Sequence, residues 1–414
     1  MRSKYFQRAV ATTSAVLIFA GLVSAQDGST RPRRVNQPSN VSRVESSTPA
    51  ASNDDTSGSS TASGARVSAP RTNTAGSGSA DTSHAYTLLQ QKQYAAAARE
   101  AKQIAASDPN NSEAWKIAGF AEFNLKQYEE SAADLQRALD LQRAAGSEDP
   151  NTVDLLAKAY VLTEKFDRAL PLLVTATTRK GATPDAAMLY YRGIAEYRTG
   201  KAADAERSFN AAVKANPKDA PSLYYLGQLA IARNDLDAAI SALNRATQND
   251  PRLAQGWTLL TTAYLRRAAQ ATAAAKADAD YLNAVRAGEA LTRVKTDADA
   301  FMLYGQALIG AKQYARAAVA LERAAAGDQA KGPAIYLLGV AYSRAENYPK
   351  AIAALERAAA KTPDDVNIYR ELGYAYEVSK QYAKALAAYQ KGAELAPTDT
   401  SFKESIDRVQ PFAK

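Results

Sequence analysis

Residues 336–365 read YLLGVAYSRAENYPKAIAALERAAAKTPDD, and residues 370–399, which lie 34 positions further on, read RELGYAYEVSKQYAKALAAYQKGAELAPTD. The two stretches keep small residues, tyrosines and a proline in place but change almost every charged residue. In the first stretch, Leu338 and Tyr342 are one helical turn apart, and Pro363 stands where a second helix has to stop. Each stretch therefore predicts a pair of helices that needs a neighbouring pair to bury its apolar faces.

The same pattern recurs through the chain after residue 83. Counted back in steps of 34 with insertions of four, two and ten residues, repeats start near residues 78, 112, 150, 186, 220, 254, 298, 332 and 366. Small residues recur at the eighth and the twentieth place of the repeats. Gly339 and Ala351 occupy these places in the eighth repeat, where we expect them to let the two helices pack closely. A period of this length, with this order of small, aromatic and proline positions, resembles the tetratricopeptide repeat.

That resemblance implies an all-α fold, namely a right-handed superhelical α-solenoid of about nine helix-turn-helix repeats. We expect the solenoid to span residues 83–399 and a C-terminal capping helix and tail to span residues 400–414. Phe402, Ile406 and Val409 follow one another at helical spacing in this cap. The ten-residue insertion in the sixth repeat contains neither glycine nor proline, so it most simply lengthens both helices of that repeat.

The N-terminus has the features of a secretory signal. Basic residues precede a short apolar core at residues 15–23, and a Val-Ser-Ala triplet supplies small residues before a cut ahead of Gln26. We therefore expect residues 1–25 to be a cleaved signal peptide and the protein to be exported, either periplasmic or secreted, with no stable membrane insertion after cleavage. The alternative is an inner-membrane anchor through an uncleaved signal, although the apolar core is shorter than the roughly 20 residues of a spanning helix.

Residues 26–82 have the composition of a linker. They contain 13 serines, seven threonines, four prolines and five glycines, and no aromatic residue. Such a segment buries too little apolar surface to offset the entropy lost on ordering, so we expect it to be disordered. Asn40, in an Asn-Val-Ser triplet, matches a glycosylation acceptor, which matters only in a eukaryotic host. The chain has no cysteine, which excludes disulfides, thiolate metal sites and lipidation of a cysteine.

The chain offers few of the residue patterns that enzymes or nucleic-acid-binding proteins need. The formal net charge is +8, and after residue 82 the chain carries 42 basic and 38 acidic residues in mixed order, so we expect no nucleic-acid partner. The only histidine, His84, and Asp81 stand at places where buried apolar residues are usual, which predicts a late, water-facing first helix. We expect neither catalysis nor a cofactor nor a bound metal, since one histidine and scattered carboxylates provide no nucleophile, zinc or phosphate site.

The resemblance to tetratricopeptide repeats also implies a concave groove, lined by the first helices of successive repeats, that binds an extended or helical segment of another protein. Carried onto this sequence by the phase of the repeat, the candidate groove residues are rich in tyrosine and arginine, which suit contacts with protein segments. They are Lys116, Phe120, Tyr190, Arg198, Tyr224, Gln228, Arg266, Gln306, Tyr336, Arg344, Arg370 and Tyr374. The alternative for each tyrosine is that it packs between repeats.

The main functional hypothesis is a non-catalytic scaffold or adaptor of the bacterial cell envelope that binds segments of partner proteins. The second is an assembly factor or chaperone for a pilus, secretion or outer-membrane complex, against which the absence of a lipidated cysteine speaks. The third is a carbohydrate-acting hydrolase, which would need acidic residues in the groove, where the candidates are aromatic, basic or amide. The lysine and asparagine set that holds a C-terminal carboxylate in chaperone-binding members is not reproduced, since Asp154 and Lys158 occupy its places in the third repeat.

Overall fold

The computed structural model describes residues 81–179, 181, 183 and 185–413. The predicted signal peptide at residues 1–25, residues 26–80 of the predicted linker and the Asn40 acceptor lie outside the described residues. The described part consists of α-helices joined by short turns, and it contains no β-strand. The all-helical class expected from the sequence is therefore confirmed.

Nineteen α-helices follow one another along the described part of the chain. The odd-numbered helices are the first helices of nine repeats, the even-numbered ones are the second helices, and α19 follows the last repeat. Their bounds are α1 Ser83–Gln90, α2 Tyr94–Ser107, α3 Ser112–Asn124, α4 Tyr128–Ala144, α5 Pro150–Leu162, α6 Phe166–Thr177, α7 Ala186–Arg198, α8 Ala202–Ala215, α9 Ala220–Ala232, α10 Leu236–Asn249, α11 Ala254–Gln270, α12 Ala274–Val294, α13 Ala298–Gly310, α14 Tyr314–Ala324, α15 Gly332–Arg344, α16 Tyr348–Lys361, α17 Val366–Val378, α18 Tyr382–Leu395 and α19 Thr400–Val409. A short 3-10 helix, Gln410–Phe412, follows α19. From the second repeat on, each first helix begins at the residue number at which the sequence places a repeat start.

Side-chain caps fix where several first helices begin. Asn111, Asp149 and Asp365 precede α3, α5 and α17, and each accepts a hydrogen bond of 3.0 Å from a backbone N–H in the first turn. Such a cap satisfies an N–H group that has no partner within the helix and contributes about 1 kcal/mol. At the other end of a repeat, α16 stops at Lys361, two residues before Pro363, because the residue before a proline disfavours helical backbone.

The fifteenth residue of a repeat lies in the turn between the two helices. There its backbone adopts the left-handed conformation. The φ angle there is between +57° and +63° at seven residues other than glycine, and +77° at Gly200. The seven are Lys92, Lys126, Glu164, Asn234, Lys312, Glu346 and Lys380. A side chain in this region costs roughly 1–2 kcal/mol, a cost that glycine avoids. Most repeats therefore make this turn with local backbone strain.

Glycines at the eighth place let the two helices of one repeat touch. A β-carbon added to Gly339 would lie 2.5 Å from Cγ of Leu355, and one added to Gly227 would lie 2.5 Å from Cγ of Leu243. Because packed carbon atoms lie about 3.5–4.0 Å apart, either addition would push the helices from each other. Ala351, at the twentieth place of the eighth repeat, is fully buried on the facing helix. The small residues therefore act as the sequence predicts.

A recurrent polar pair joins each of several first helices to the repeat before it. A tyrosine at the eleventh place shares a hydrogen bond with the twenty-fifth residue of the preceding repeat. The pairs are Tyr160 with Gln136, Tyr264 with Asn244, Tyr342 with Glu322, and Tyr376 with Glu356. Burial and the hydrogen bond to Glu322 raise the pKa of Tyr342 to about 12. At the boundary between the first and second repeats the same two places hold Lys102 and Glu122, which form an ion pair.

Both helices of the sixth repeat are extended. α11 has 17 residues and α12 has 21, against 13 and 14 in the two helices of the eighth repeat. Arg267 near the end of α11 pairs with Asp237 of the preceding repeat at 2.5 Å and with the buried Asp280 of α12 at 2.6 Å. The insertion therefore lengthens both helices. Arg267 links the lengthened helices to the fifth repeat through these ion pairs.

The two ends of the array are closed differently. α1 begins only at Ser83, and His84 in its first turn lies 2.7 Å from Glu100 of α2. At the other end, α19 covers the last repeat with Phe402 and Val409, each 1% exposed. This amphipathic helix shields the apolar face that a further repeat would otherwise cover, so the predicted C-terminal cap is confirmed.

Candidate protein-binding groove

The first helices lie along one side of the array. Each packs against the second helix of its own repeat and of the preceding repeat, and each also contacts the first helix of the next repeat. Contact between first helices makes their side of the array the shorter one. The first helices therefore line the inner, concave side, where the candidate groove residues are predicted.

Two of the predicted cationic residues are already paired within the chain. Lys116 lies 2.9 Å from Glu113 and 3.2 Å from Asp149, and Arg344 lies 2.8 Å from the buried Glu371. Burial by itself would lower the pKa of Lys116, but the two carboxylates outweigh it, so the pKa lies above its ordinary value. A ligand carboxylate would have to replace these partners to reach either charge.

The other predicted arginines are also bonded to side chains of this chain. Their partners belong to a neighbouring repeat or, for Arg370, to the N-cap of α19. The pairs are Arg370 with Asp399 at 2.5 Å, Arg198 with Glu164 at 3.3 Å, and Arg266 with Asn234 at 2.9 Å. Ion pairs this exposed contribute little stability, about 0–1 kcal/mol, but they neutralise the charges of Arg370 and Arg198. The partner of Arg266 is an uncharged amide, so its charge is not neutralised.

The structure corrects the prediction for Tyr336. Its side chain is buried, with 2% of its surface exposed. Burial raises its pKa above the ordinary value of a tyrosine, and the nearby carboxylates of Glu371 in the ninth repeat and of Asp365, the residue before that repeat, add to the shift. The ring therefore packs between the eighth and ninth repeats, which is the alternative reading for tyrosines, and it offers no open surface to a ligand.

Four uncharged candidates are partly accessible. Phe120, Gln228, Gln306 and Tyr374 are half-buried. Tyr374 packs edge-on to Tyr348 of α16, with 6.5 Å between ring centres. The side-chain amides of Gln228 and Gln306 make no hydrogen bond with any other residue that the structure describes. Both amides are therefore available as donors and acceptors.

Tyr190 and Tyr224 belong to a cluster of aromatic rings on α7, α8 and α9. We call this group the tyrosine cluster, and its members are Tyr190, Tyr191, Tyr197, Tyr224, Tyr225 and Phe209. The ring centres lie 5.0–6.3 Å apart in six contacting pairs. Fully buried Phe209 stacks on Tyr225 with 8° between the ring planes, and Tyr225 in turn contacts three of the other tyrosines. Aromatic contacts of this kind contribute about 0.5–1.5 kcal/mol each, so together they hold the rings of the cluster in fixed positions.

The hydroxyl groups of the tyrosine cluster differ from those of the tyrosines between repeats. The latter are each bonded to the preceding repeat, whereas none of the five cluster hydroxyls has a hydrogen-bond partner among the residues that the structure describes. Burial raises the pKa of four of them, Tyr190, Tyr191, Tyr224 and Tyr225, which keeps these hydroxyls protonated and able to donate. The cluster therefore carries unused hydrogen-bond donors beside an apolar surface.

Sequence reasoning found only two members of the tyrosine cluster. It took candidates from the fifth, ninth and thirteenth places of the first helix, and Tyr191, Tyr197 and Tyr225 stand at the sixth and twelfth places. A signal for two of them exists in the sequence, because a Tyr-Tyr doublet at residues 190–191 returns 34 residues later at 224–225. Two adjacent aromatic residues in the same phase of neighbouring repeats indicate a shared surface.

The concave side changes in charge along the array. At the fifth and ninth places of repeats 4 to 8, all ten side chains are uncharged, and we call them the neutral stretch. They are Tyr190, Ile194, Tyr224, Gln228, Thr258, Thr262, Met302, Gln306, Tyr336 and Val340. Charged residues return at the same places on both sides, with Lys116, Asp154 and Lys158 before the stretch and Arg370 after it. The tyrosine cluster lies at the N-terminal end of the neutral stretch.

The described residues have neither a cluster of metal-binding side chains nor a helix that could span a membrane. His84 has 72% of its side chain exposed and pairs with Glu100 alone among the described carboxylates. Within the described ranges, no group of three or more histidine, cysteine, aspartate or glutamate residues is arranged to hold a metal ion. In the same part of the chain, no helix is both long and apolar enough to cross a bilayer.

Comparisons with known proteins bear on the family. A family model described as Tetratricopeptide repeat matches residues 82–150, 155–220, 192–254 and 336–400, which together are more than half of the chain. A search of curated proteins finds no match. Among solved structures, YrrB, "a TPR protein with an unusual peptide-binding site", is 18% identical over 49% of this chain and 99% of that chain, with a TM-score of 0.42.

Two further solved structures are similar at the same level. MamA from Desulfovibrio magneticus RS-1 is 22% identical over 44% of this chain and 96% of that chain, with a TM-score of 0.38. A tetratricopeptide repeat protein from Parabacteroides merdae ATCC 43184 is 14% identical over 63% of this chain and 98% of that chain, with a TM-score of 0.39. Similarities this low carry no argument about what this chain binds. The family model, which covers the first five repeats and the last two, shows that the chain belongs to the tetratricopeptide repeat family, a family of protein–protein interaction scaffolds.

Proposed function

We propose that this protein is a non-catalytic scaffold of the bacterial cell envelope whose concave side binds segments of partner proteins. The observation that carries the proposal is the tyrosine cluster, with half-buried rings on first helices and hydroxyls that bond to nothing else among the described residues. Tyrosine is enriched at interfaces because it supplies a large contact area at a low cost in side-chain entropy.

The packing of the array supports the proposal by making the concave side rigid. Gly193 in α7 has no side chain, and a β-carbon there would lie 2.6 Å from the ring of Phe209 in α8, so the two helices are in direct contact. The ring of Phe209 in turn stacks on the ring of Tyr225. A surface that is ordered before binding loses little conformational entropy when a ligand arrives, which favours affinity.

Affinity capture from an envelope extract tests the concave side as the binding surface. The bait is the full chain, compared with a double variant, Tyr190→Ala with Tyr224→Ala, and with a control, Val319→Ser. Val319 is 60% exposed on the second helix α14, away from the concave side. We expect the full chain and the control to capture the same partner proteins, and the double variant to lose them at least about tenfold.

The outcomes separate binding on the two sides of the array. Circular dichroism melts first establish that the double variant is folded. If a folded double variant captures the same partners in the same amounts, the concave side is not the binding surface and the proposal is wrong. If the control loses the partners instead, the ligand binds the side of the second helices.

The envelope location in the proposal rests on residues 1–25 and is tested separately. We expect the chain recovered from the periplasm or the medium to begin at Gln26, as read by N-terminal sequencing. An intact N-terminus in the membrane fraction would favour an uncleaved anchor instead. Recovery of all the protein from the cytoplasm would contradict export.

A further inference from the structure

We propose that the tyrosine cluster and the accessible side chains of the neutral stretch bind an uncharged, proline-containing segment of a partner protein in an extended conformation. This inference rests on the proposed function and names the class of ligand. It follows from three properties of the surface, namely its unused donors, its ring geometry and the absence of charge at the fifth and ninth places.

The unused donors favour a ligand with surplus acceptors. The hydroxyls of Tyr190, Tyr197 and Tyr224 have no partner among the described residues, and the same is true of the amide of Gln228, one helical turn after Tyr224. An extended proline-containing segment presents more carbonyl oxygens than N–H groups, because proline has no N–H. In the polyproline II conformation these carbonyls form no internal hydrogen bonds, so they are free to accept from the phenols.

The ring geometry favours proline side chains. Tyr224 stands at 78° to Tyr225 with 5.2 Å between ring centres, and Tyr197 stands at 63° to the same ring at 5.6 Å. Rings set at such angles leave grooves between them, and grooves lined by aromatic residues are the surfaces on which proline-rich segments dock in other recognition domains. A preformed extended ligand also loses little entropy on binding.

The charge pattern disfavours an acidic or basic ligand. The ten fifth and ninth places of repeats 4 to 8 are uncharged, whereas the thirteenth places of repeats 4, 6 and 8 hold Arg198, Arg266 and Arg344. Arg198 and Arg344 are paired with carboxylates, and Arg266 donates to the amide oxygen of Asn234. A charged side chain placed over the fifth and ninth places would lose water without gaining a counter-charge there, which costs several kcal/mol when the group is fully buried. An uncharged segment avoids this cost.

The same charge argument favours a partner protein over this chain's own N-terminal segment. Residues 26–82 contain four prolines, of which Pro32 lies between two arginines and Pro70 precedes Arg71. Two of the four prolines would therefore bring cations onto the neutral stretch. Pro38 and Pro49 have uncharged neighbours, so the experiment includes them explicitly.

Fluorescence polarisation with labelled, end-capped peptides of about ten residues tests the inference on the full chain. The probe alternates serine and proline; one comparison peptide alternates serine and glycine, and another alternates glutamate and proline. We expect the serine-proline probe to bind at least about tenfold more tightly than either comparison peptide. Tyr190→Phe and Tyr224→Phe, which keep the ring and remove only the hydroxyl, should each weaken binding about 3- to 10-fold.

Tyr264→Phe is the matched control. Its hydroxyl bonds to Asn244 within the chain at 3.0 Å, so its removal should leave the affinity for the probe unchanged. Equal affinity for the serine-proline and serine-glycine peptides would overturn the inference, and so would unchanged binding in both cluster variants. If Pro38→Ala with Pro49→Ala in the full chain tightens probe binding, the chain's own segment occupies the surface and the assignment to a partner is overturned.

The result is distinguishable from failure of the proposed function. If partner capture depends on Tyr190 and Tyr224 but the serine-proline probe does not bind, the scaffold function stands and only the ligand class is wrong. If capture fails as well, both proposals are overturned.

Discussion

Gly339 in α15 lies directly against Leu355 in α16, so closely that a β-carbon on the glycine would stand 2.5 Å from Cγ of the leucine. The side chain of Leu355 in α16 therefore packs directly against the backbone of α15. We expect Gly339→Ala to destabilise the protein by about 1–3 kcal/mol, because Leu355 is fully buried and has no free space to move into. Urea unfolding followed by circular dichroism measures the loss.

A double-variant cycle separates this contact from a general effect of the substitution. Leu355→Ala alone should cost about 2–5 kcal/mol by leaving a cavity. In that background, Gly339→Ala should cost nothing or stabilise, since the new methyl group enters the vacated space and alanine favours a helix over glycine by about 1 kcal/mol. An equal cost of Gly339→Ala in both backgrounds would show that the contact is not the cause.

Glycine substitutions at the left-handed turn residue and at the residue after it should change the free energy of unfolding in opposite directions. Lys126 has a φ angle of +63°, whereas the next residue, Gln127, has an ordinary φ of −86°. Lys126→Gly should therefore stabilise the protein by up to about 1 kcal/mol, because it removes backbone strain. Gln127→Gly should destabilise it by about 0.5–1 kcal/mol, because there the glycine only adds freedom to the unfolded chain. Destabilisation by both substitutions, measured by urea unfolding, would contradict the assigned turn.

A buried cluster of charges near the N-terminal end predicts how stability depends on pH. Glu122 of α3 and Asp134 of α4 are both buried and share one lysine, Lys102 of α2, which pairs with Glu122 and lies 3.5 Å from Asp134. Burial raises the pKa of Glu122 to about 7; the pairing with Lys102 opposes this rise, and the charge of Asp134 adds to it. Burial also raises the pKa of Asp134, with Glu130 contributing further. At high pH, when both carboxyl groups are ionised, the cluster carries two negative charges against the single positive charge of Lys102.

The sign of the pH effect follows from proton binding. Between the ordinary pKa of a glutamate, 4.5, and about 7, the folded protein holds a proton at Glu122 that the unfolded chain releases, so stability falls as pH rises through this range. We expect local stability in α2 to α4 to fall by about 1–3 kcal/mol from pH 5 to pH 8, measured by hydrogen exchange corrected for intrinsic rates. Glu122→Gln should flatten this dependence, and the exposed control Glu129→Gln should not. A steeper dependence in Glu122→Gln would refute the assignment.

The repeat phase could be predicted because close helix contacts leave little freedom of residue type. Gly339 and Ala351 meet a steric requirement that recurs in most repeats, and Pro363 marks where a helix has to end, so these positions are visible in a single chain. The same reasoning located the cap through the apolar spacing of Phe402 and Val409. Local geometry was therefore readable wherever one residue type is nearly obligatory.

The exposure and the pairing of side chains on the concave side could not be predicted in the same way. Tyr336 and Tyr224 stand at the same fifth place of their helices, yet one is buried and the other half-buried, because the neighbouring repeat decides the exposure. Arg344 is paired with Glu371, 27 residues away, and that distance depends on how the repeats are rotated against each other. Which hydroxyls and charges remain unused is thus a property of tertiary contacts, and a sequence pattern does not contain it.

The tyrosines of the array should divide into two classes when their hydroxyls are removed. Tyr376 bonds to Glu356 across the boundary between repeats, so Tyr376→Phe should cost about 1 kcal/mol of unfolding free energy. Tyr190 has no such partner among the described residues, so Tyr190→Phe should change stability by less than about 0.5 kcal/mol. Urea unfolding of both variants measures the difference under identical conditions. A loss at Tyr190 as large as the loss at Tyr376 would mean that its hydroxyl is used within the chain, and it would remove the donor on which ligand binding is argued.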